Sequence, residues 1–117
     1  MIAVQDLSDA LVTRFPELQS AHSALLSWRP EPGSYLLLSN VFTPVVLGQL
    51  RTPGSKEELA VVFSFVEELA ASEGLQDALA TALLVPLTES PELLQVAWPF
   101  MGETTRRIVL AVARASS

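Results

Sequence analysis

The chain has no cysteine and a single histidine. Without thiols there are no disulfides, no thiolate nucleophile and no ordinary structural zinc site, and one imidazole cannot build a histidine metal cage. Nothing points to an oxidising compartment. Charge is also scarce, at 17% of residues against 50% hydrophobic, a balance that excludes disorder as the general state. A long apolar run is missing too. The longest charge-free stretch, residues 32–50, is interrupted by Pro32, Gly33, Ser34, Ser39, Asn40, Thr43, Pro44 and Gln49, too polar and too broken to span a bilayer. The opening MIAVQDLSDAL meets Asp6 and Asp9 before any base, so it lacks the cationic start and apolar block of a secretory signal. A cytoplasmic protein without a membrane partner is expected.

What is present is helical spacing. At 117 residues the chain suits one domain, residues 1–117, able to bury roughly 65% of its unfolded surface. Leu59, Val62, Phe63, Val66, Leu69 and Ala70 recur at three and four residues, and Leu75, Ala78, Leu79, Ala82 and Leu83 repeat the pattern. Val61 and Phe65 add apolar area on another side of the first of these helices, which places it centrally. Ser55-Lys56-Glu57-Glu58 has the form of a capping box, and Ser90-Pro91-Glu92 sets a capping hydroxyl before a proline that suits a first turn. Gly74 and Gly102 separate segments, and Pro16, Pro86 and Pro99 forbid uninterrupted helix through their positions.

The spacing predicts helices near 4–14, 16–28, 41–51, 56–71, 75–86, 91–100 and 103–115. Arg29-Pro30-Glu31-Pro32-Gly33-Ser34 is the strongest loop signal. Tyr35-Leu36-Leu37-Leu38 has no partner for a strand and is expected to be an extended lead-in packed on the core. The expected fold is all-α: a compact single-domain bundle of six or seven short helices in antiparallel succession, with HEAT-like helical hairpins in the C-terminal half.

Catalytic chemistry finds little support. His22 lies on the apolar stripe of the second helix, where a partly buried structural role is expected, and its sequence neighbour Ser23 points elsewhere. The pairs Glu57-Glu58 and Glu67-Glu68 diverge by about 100° around a helix, so neither forms a general acid–base pair or a metal cage by itself. There is no glycine-rich phosphate loop and no nucleophile elbow. No enzyme and no cofactor are expected. The seven bases are scattered and outweighed by a net charge of −6, which argues against direct nucleic-acid binding.

The distribution of charge carries more information. Residues 1–56 hold four acids and four bases, while residues 57–105 hold nine acids and no base. In an antiparallel hairpin followed by a third helix, one edge would collect Glu67, Glu68, Glu73, Asp77 and Glu103, the expected partner-binding residues. Glu57, Glu58, Glu89 and Glu92 would lie at the other edge. First-turn positions explain many of these acids through the helix dipole, but Glu67 and Glu68 lie toward a helix C-terminus, where negative charge is unfavourable. Trp98 and Phe100 are placed in the core, with interface anchoring as the other use of such side chains.

The stretches LVTRFPELQSAH, SNVFTPVVLGQL, ELAVVFSFVEELAAS and ELLQVAWPFMGETTRRIVLAV, taken in order, resemble a family of small bacterial all-helical domains. That family has no settled biochemical function and is found among candidate immunity proteins of polymorphic or contact-dependent toxin systems. The similarity spans nearly the whole chain. Its most specific parts are residues 63–71, with paired glutamates followed by Leu-Ala, and Met101-Gly102 followed by Thr105-Arg106-Arg107. The resemblance implies binding without turnover and supplies no catalytic residues. The function expected is that of an immunity protein, whose acidic surface occludes the active site or substrate path of a cognate toxin domain. If that toxin is a nuclease, its basic cleft is the natural complement. The alternative is an adaptor or scaffold domain of a bacterial regulatory or secretion assembly.

Overall fold

The described residues, which in the computed structural model are 2–52, 54 and 56–116, form seven helical segments joined by turns and loops, with no strand among them. Helix α1, Leu7–Arg14, follows a 3-10 turn at Val4–Asp6, and α2, Gln19–Trp28, is led in by a 3-10 turn whose first residue is Pro16. Helix α3 covers residues 34–51, α4 is Lys56–Ala70, and α5 covers residues 76–88. Helix α6, Pro91–Ala97, runs into a 3-10 turn at Trp98–Phe100, and α7 is Glu103–Ser116. The radius of gyration is 13.5 Å, close to the roughly 13.4 Å that scaling gives for one folded domain of this length.

Two expectations about helix continuity are corrected. Tyr35–Leu38 is helical, not extended: Gly33 is extended at the start of α3, and Leu37, Leu38, Val41, Phe42, Val46 and Leu50 fall at helical spacing with their side chains buried. Pro86 does not break α5, which continues through it to Thr88. A proline inside a helix removes one amide and its ring presses on the carbonyl four residues back. Both helices answer this in the same way, with a wide π segment just before the proline, at Leu38–Phe42 ahead of Pro44 and at Ala80–Leu84 ahead of Pro86. The two segments pack together. The carbonyl that Pro86 deprives of its α-helical donor is that of Ala82, and the Thr43 hydroxyl, beside Pro44, donates to it at 3.0 Å. A buried polar group left unpaired is thereby avoided.

Helix α4 is central, as expected. Leu59, Val62, Phe63, Phe65, Val66, Leu69 and Ala70 are all buried, so the helix is covered on more than one side, although Val61 is exposed. Phe65 meets Phe15 and Phe42 with ring centroids 5.4 and 5.5 Å apart, both edge to face, joining the end of α1 and the π segment of α3 to α4. The turn after α4 needs Gly74, the one residue with positive φ (+88°) among those described. Against that turn lies the N-terminal segment, where the Ile2 amide donates to the buried Ser72 hydroxyl at 2.7 Å.

Helix starts match their sequence signals only in part. Pro91 opens α6, but the Ser90 hydroxyl does not cap it; with backbone angles of −127° and 83°, Ser90 contributes its carbonyl, which accepts from the Leu94 amide at 3.0 Å. Ser55, the proposed capping hydroxyl of α4, lies outside the described residues.

Candidate functional site

Glu67 stands in the last turns of α4, where its own helix dipole disfavours it, yet its carboxylate is aimed at the start of another helix. The Thr104 amide donates to Oε2 at 3.0 Å, and the Thr105 amide and hydroxyl donate to Oε1 at 2.9 and 2.8 Å. Glu67 thus acts as a cap for α7, supplied from a different element. Gly102 makes room for it: a Cβ there would overlap the Glu67 carboxylate. Partial burial pushes the Glu67 carboxyl up, but the hydrogen bonds from Thr105 and Thr104 outweigh it and hold the carboxyl below its ordinary value. The expectation that no helix dipole accounts for Glu67 is therefore corrected, because the dipole it serves belongs to α7.

The remaining members of the expected acidic edge divide. Glu68 pairs with Arg14 at 2.8 Å, and the Arg14 guanidinium also lies 5.1 Å from the Phe65 ring centroid, tying the end of α1 to α4. Glu103 is exposed in the first turn of α7 and pairs with Arg107 at 3.1 Å. Glu73 is exposed in the 71–75 turn, beside Ile2–Gln5, and Asp77 is exposed in the first turn of α5. The structure brings Glu67 and Glu103 together at the start of α7 but engages Glu67 and Glu68 with partners of their own chain.

Trp98 and Phe100 are half-buried and pack against the core. Arg106 stacks 5.1 Å from the Trp98 ring centroid and donates to the Trp98 carbonyl from Nε at 3.2 Å and Nη2 at 2.9 Å, closing the end of α6.

A second acidic grouping lies at the other end of α4 and was missed in part. Glu57 and Glu58 line a cleft of about 490 Å³ together with Glu17, from the 3-10 turn before α2, and with Arg14, Phe15, Gln49, Val61 and Val62. The Gln49 Oε1 is buried without a hydrogen-bond partner among the described residues. Carboxylates outnumber cations three to one in the lining, and half-apolar walls with the exposed Val61 at their edge suit the aliphatic stem of a basic side chain. Glu17 is some 40 residues from Glu57 in sequence and belongs to the charge-balanced part of the chain, so no local signal could have joined them. Among the described residues, no group of three or more His, Asp or Glu is placed to hold a metal ion.

His22 is half-buried, as expected, but its partner is Ser8 on α1, not its sequence neighbour: the Ser8 hydroxyl and His22 Nε2 are hydrogen-bonded. Both residues line another cleft, of about 520 Å³, between the start of α1, α2 and the loop leading into α3. No helix among the described residues is long and apolar enough to cross a membrane. No family model, curated protein or solved structure matches the chain.

Proposed function

We propose that this chain is a binding domain of the immunity type, one that neutralises a cognate toxin domain by covering its active site or substrate path with an acidic surface. The observation that carries this reading is the concentration of carboxylates on α4 and the elements beside it. Nine acids and no base occupy residues 57–105; among the exposed ones, Glu57 and Glu58, joined by Glu17, lie at one end of the central helix and Glu73 with Asp77 lie beyond the other. A surface of this sign speeds encounter with a basic protein and makes the association rate fall with salt. A basic nuclease domain fits as the partner, its substrate cleft being positive for the same reason that this surface is negative.

The test is co-expression with the toxin domain encoded beside this chain, scoring growth. Rescue by the wild-type chain is expected, with rescue lost in a variant reversing Glu17, Glu57, Glu58, Glu73 and Asp77 to Lys while circular dichroism stays unchanged. Glu67 is left intact in that variant because it caps α7. Full rescue by the folded variant would remove the acidic surface as the interface. The alternative, an adaptor or scaffold in a regulatory or secretion assembly, predicts instead that affinity capture from the native host recovers a secretion or regulatory component and no toxin domain.

A further inference from the structure

We propose that Ser8 is a nucleophile activated by His22, in a cleft that accepts a small uncharged ester. This goes beyond the binding reading and is independent of it, since it uses α1, α2 and the start of α3. The chain has one imidazole, and it is hydrogen-bonded to a side-chain hydroxyl from a different helix, 14 residues away. A neutral imidazole in contact with a serine hydroxyl is the minimal unit of a base-activated nucleophile. Both groups are only half-buried, and both line the same cleft of about 520 Å³, so a small molecule can reach the hydroxyl.

The rest of the lining fits that chemistry. Pro30 and Leu37 supply apolar wall. Gly33 and Ser34 open α3 on the same cleft, and among the described residues no side chain caps the first amides of this helix, leaving donors for an oxyanion. Asp9 is the only carboxylate in the lining, and its charge opposes an anionic substrate. Ser8 Oγ adds to the ester carbonyl carbon as its proton passes to His22 Nε2, and the carbonyl π pair moves onto oxygen. That pair then re-forms the carbonyl as the bond to the alcohol oxygen breaks, and His22 returns the proton to the leaving alkoxide. Water repeats the sequence on the acyl-serine, releasing the carboxylic acid and restoring the hydroxyl.

The test is labelling of the full chain with a fluorophosphonate, which transfers its phosphonyl group to a nucleophilic serine with loss of fluoride, followed by tandem mass spectrometry. One adduct, on Ser8, is expected. His22→Gln, with a hydrogen-bonding side chain in place of the imidazole, should slow labelling by about 100-fold or more with circular dichroism unchanged. Carbethoxylation of His22 on the wild-type chain should block labelling and hydroxylamine should restore it, giving the same readout without a variant. No adduct on the wild-type chain, an adduct on another serine, or labelling indifferent to both treatments of His22 would each overturn the proposal and leave the pair as a tie between two helices.

Discussion

Helix α4 carries two adjacent glutamates at each end, Glu57-Glu58 in its first turn and Glu67-Glu68 near its last, and the two pairs face different surroundings. By the local rule the first pair should be structural, because acids favour a helix N-terminus, and the second pair should be unsupported and therefore available. The tertiary arrangement overturns the second half of this rule. Glu67 and Glu68 are held by α7 and Arg14, while Glu57 and Glu58 line a cleft with Glu17. A helix dipole acts within a turn of its own end, and a carboxylate disfavoured by one helix is well placed when the N-terminus of another is brought against it.

The largest test of the comparison removes one glutamate from each end. Glu67→Ala should cost about 2 kcal/mol in urea denaturation, because half-buried amides and the Thr105 hydroxyl lose a charged acceptor. Glu57→Ala and Glu58→Ala should each stay within about 0.5 kcal/mol, as exposed substitutions do. Gly102→Ala should cost about 1–2 kcal/mol by displacing the same carboxylate, and combining it with Glu67→Ala should cost clearly less than the sum. Equal effects at the two ends of α4 would erase the distinction.

A smaller effect appears with acid. The folded chain holds the Glu67 carboxyl below its ordinary value near 4.5, so the unfolded chain binds that proton more readily. The contribution of the cap is therefore complete above the unfolded value and is lost as pH falls through the lower folded value. Between about pH 5 and about pH 3 the wild-type chain should lose more unfolding free energy than Glu67→Gln, whereas parallel curves would show that the capping bonds do not depend on charge.

The smallest effect concerns Glu68. The Arg14–Glu68 pair is 41% and 37% exposed on its two side chains, so Glu68→Gln should cost only about 0.5 kcal/mol at low salt and less at about 1 M salt. Arg14→Ala should cost more than Glu68→Gln, because it also removes the guanidinium from the Phe65 ring. The reverse order would make the ion pair the stronger of the two contacts.

Much of the fold was legible, and the misses have physical causes. Apolar spacing located six of the seven helices to within a few residues because burial on one face is a local, periodic property. The start of α3 was missed because Tyr35-Leu36-Leu37-Leu38 taken alone is a short apolar run, while its periodicity shows only when Leu37 and Leu38 are aligned with Val41, Phe42 and Val46. The continuity of α5 was missed because Pro86 has a local cost that the π segment and the Thr43 hydroxyl offset, and Thr43 is distant in sequence. The acidic excess was visible by counting, whereas the partners that Glu67 and Glu68 find on other elements required knowing which elements meet.

By itself the amino-acid order determined the helical class, the central place of residues 56–70, the absence of thiol chemistry and the concentration of negative charge in the middle of the chain. These are properties of composition and short-range period, which act through neighbouring residues. Only the tertiary structure decided that Glu67 serves Thr104 and Thr105, that Glu17 joins Glu57 and Glu58, and that Ser8, not Ser23, faces His22. Each of those pairings joins groups from different elements. Hydrogen bonds and charges depend on distance in space, which packing of the helices sets and sequence separation does not.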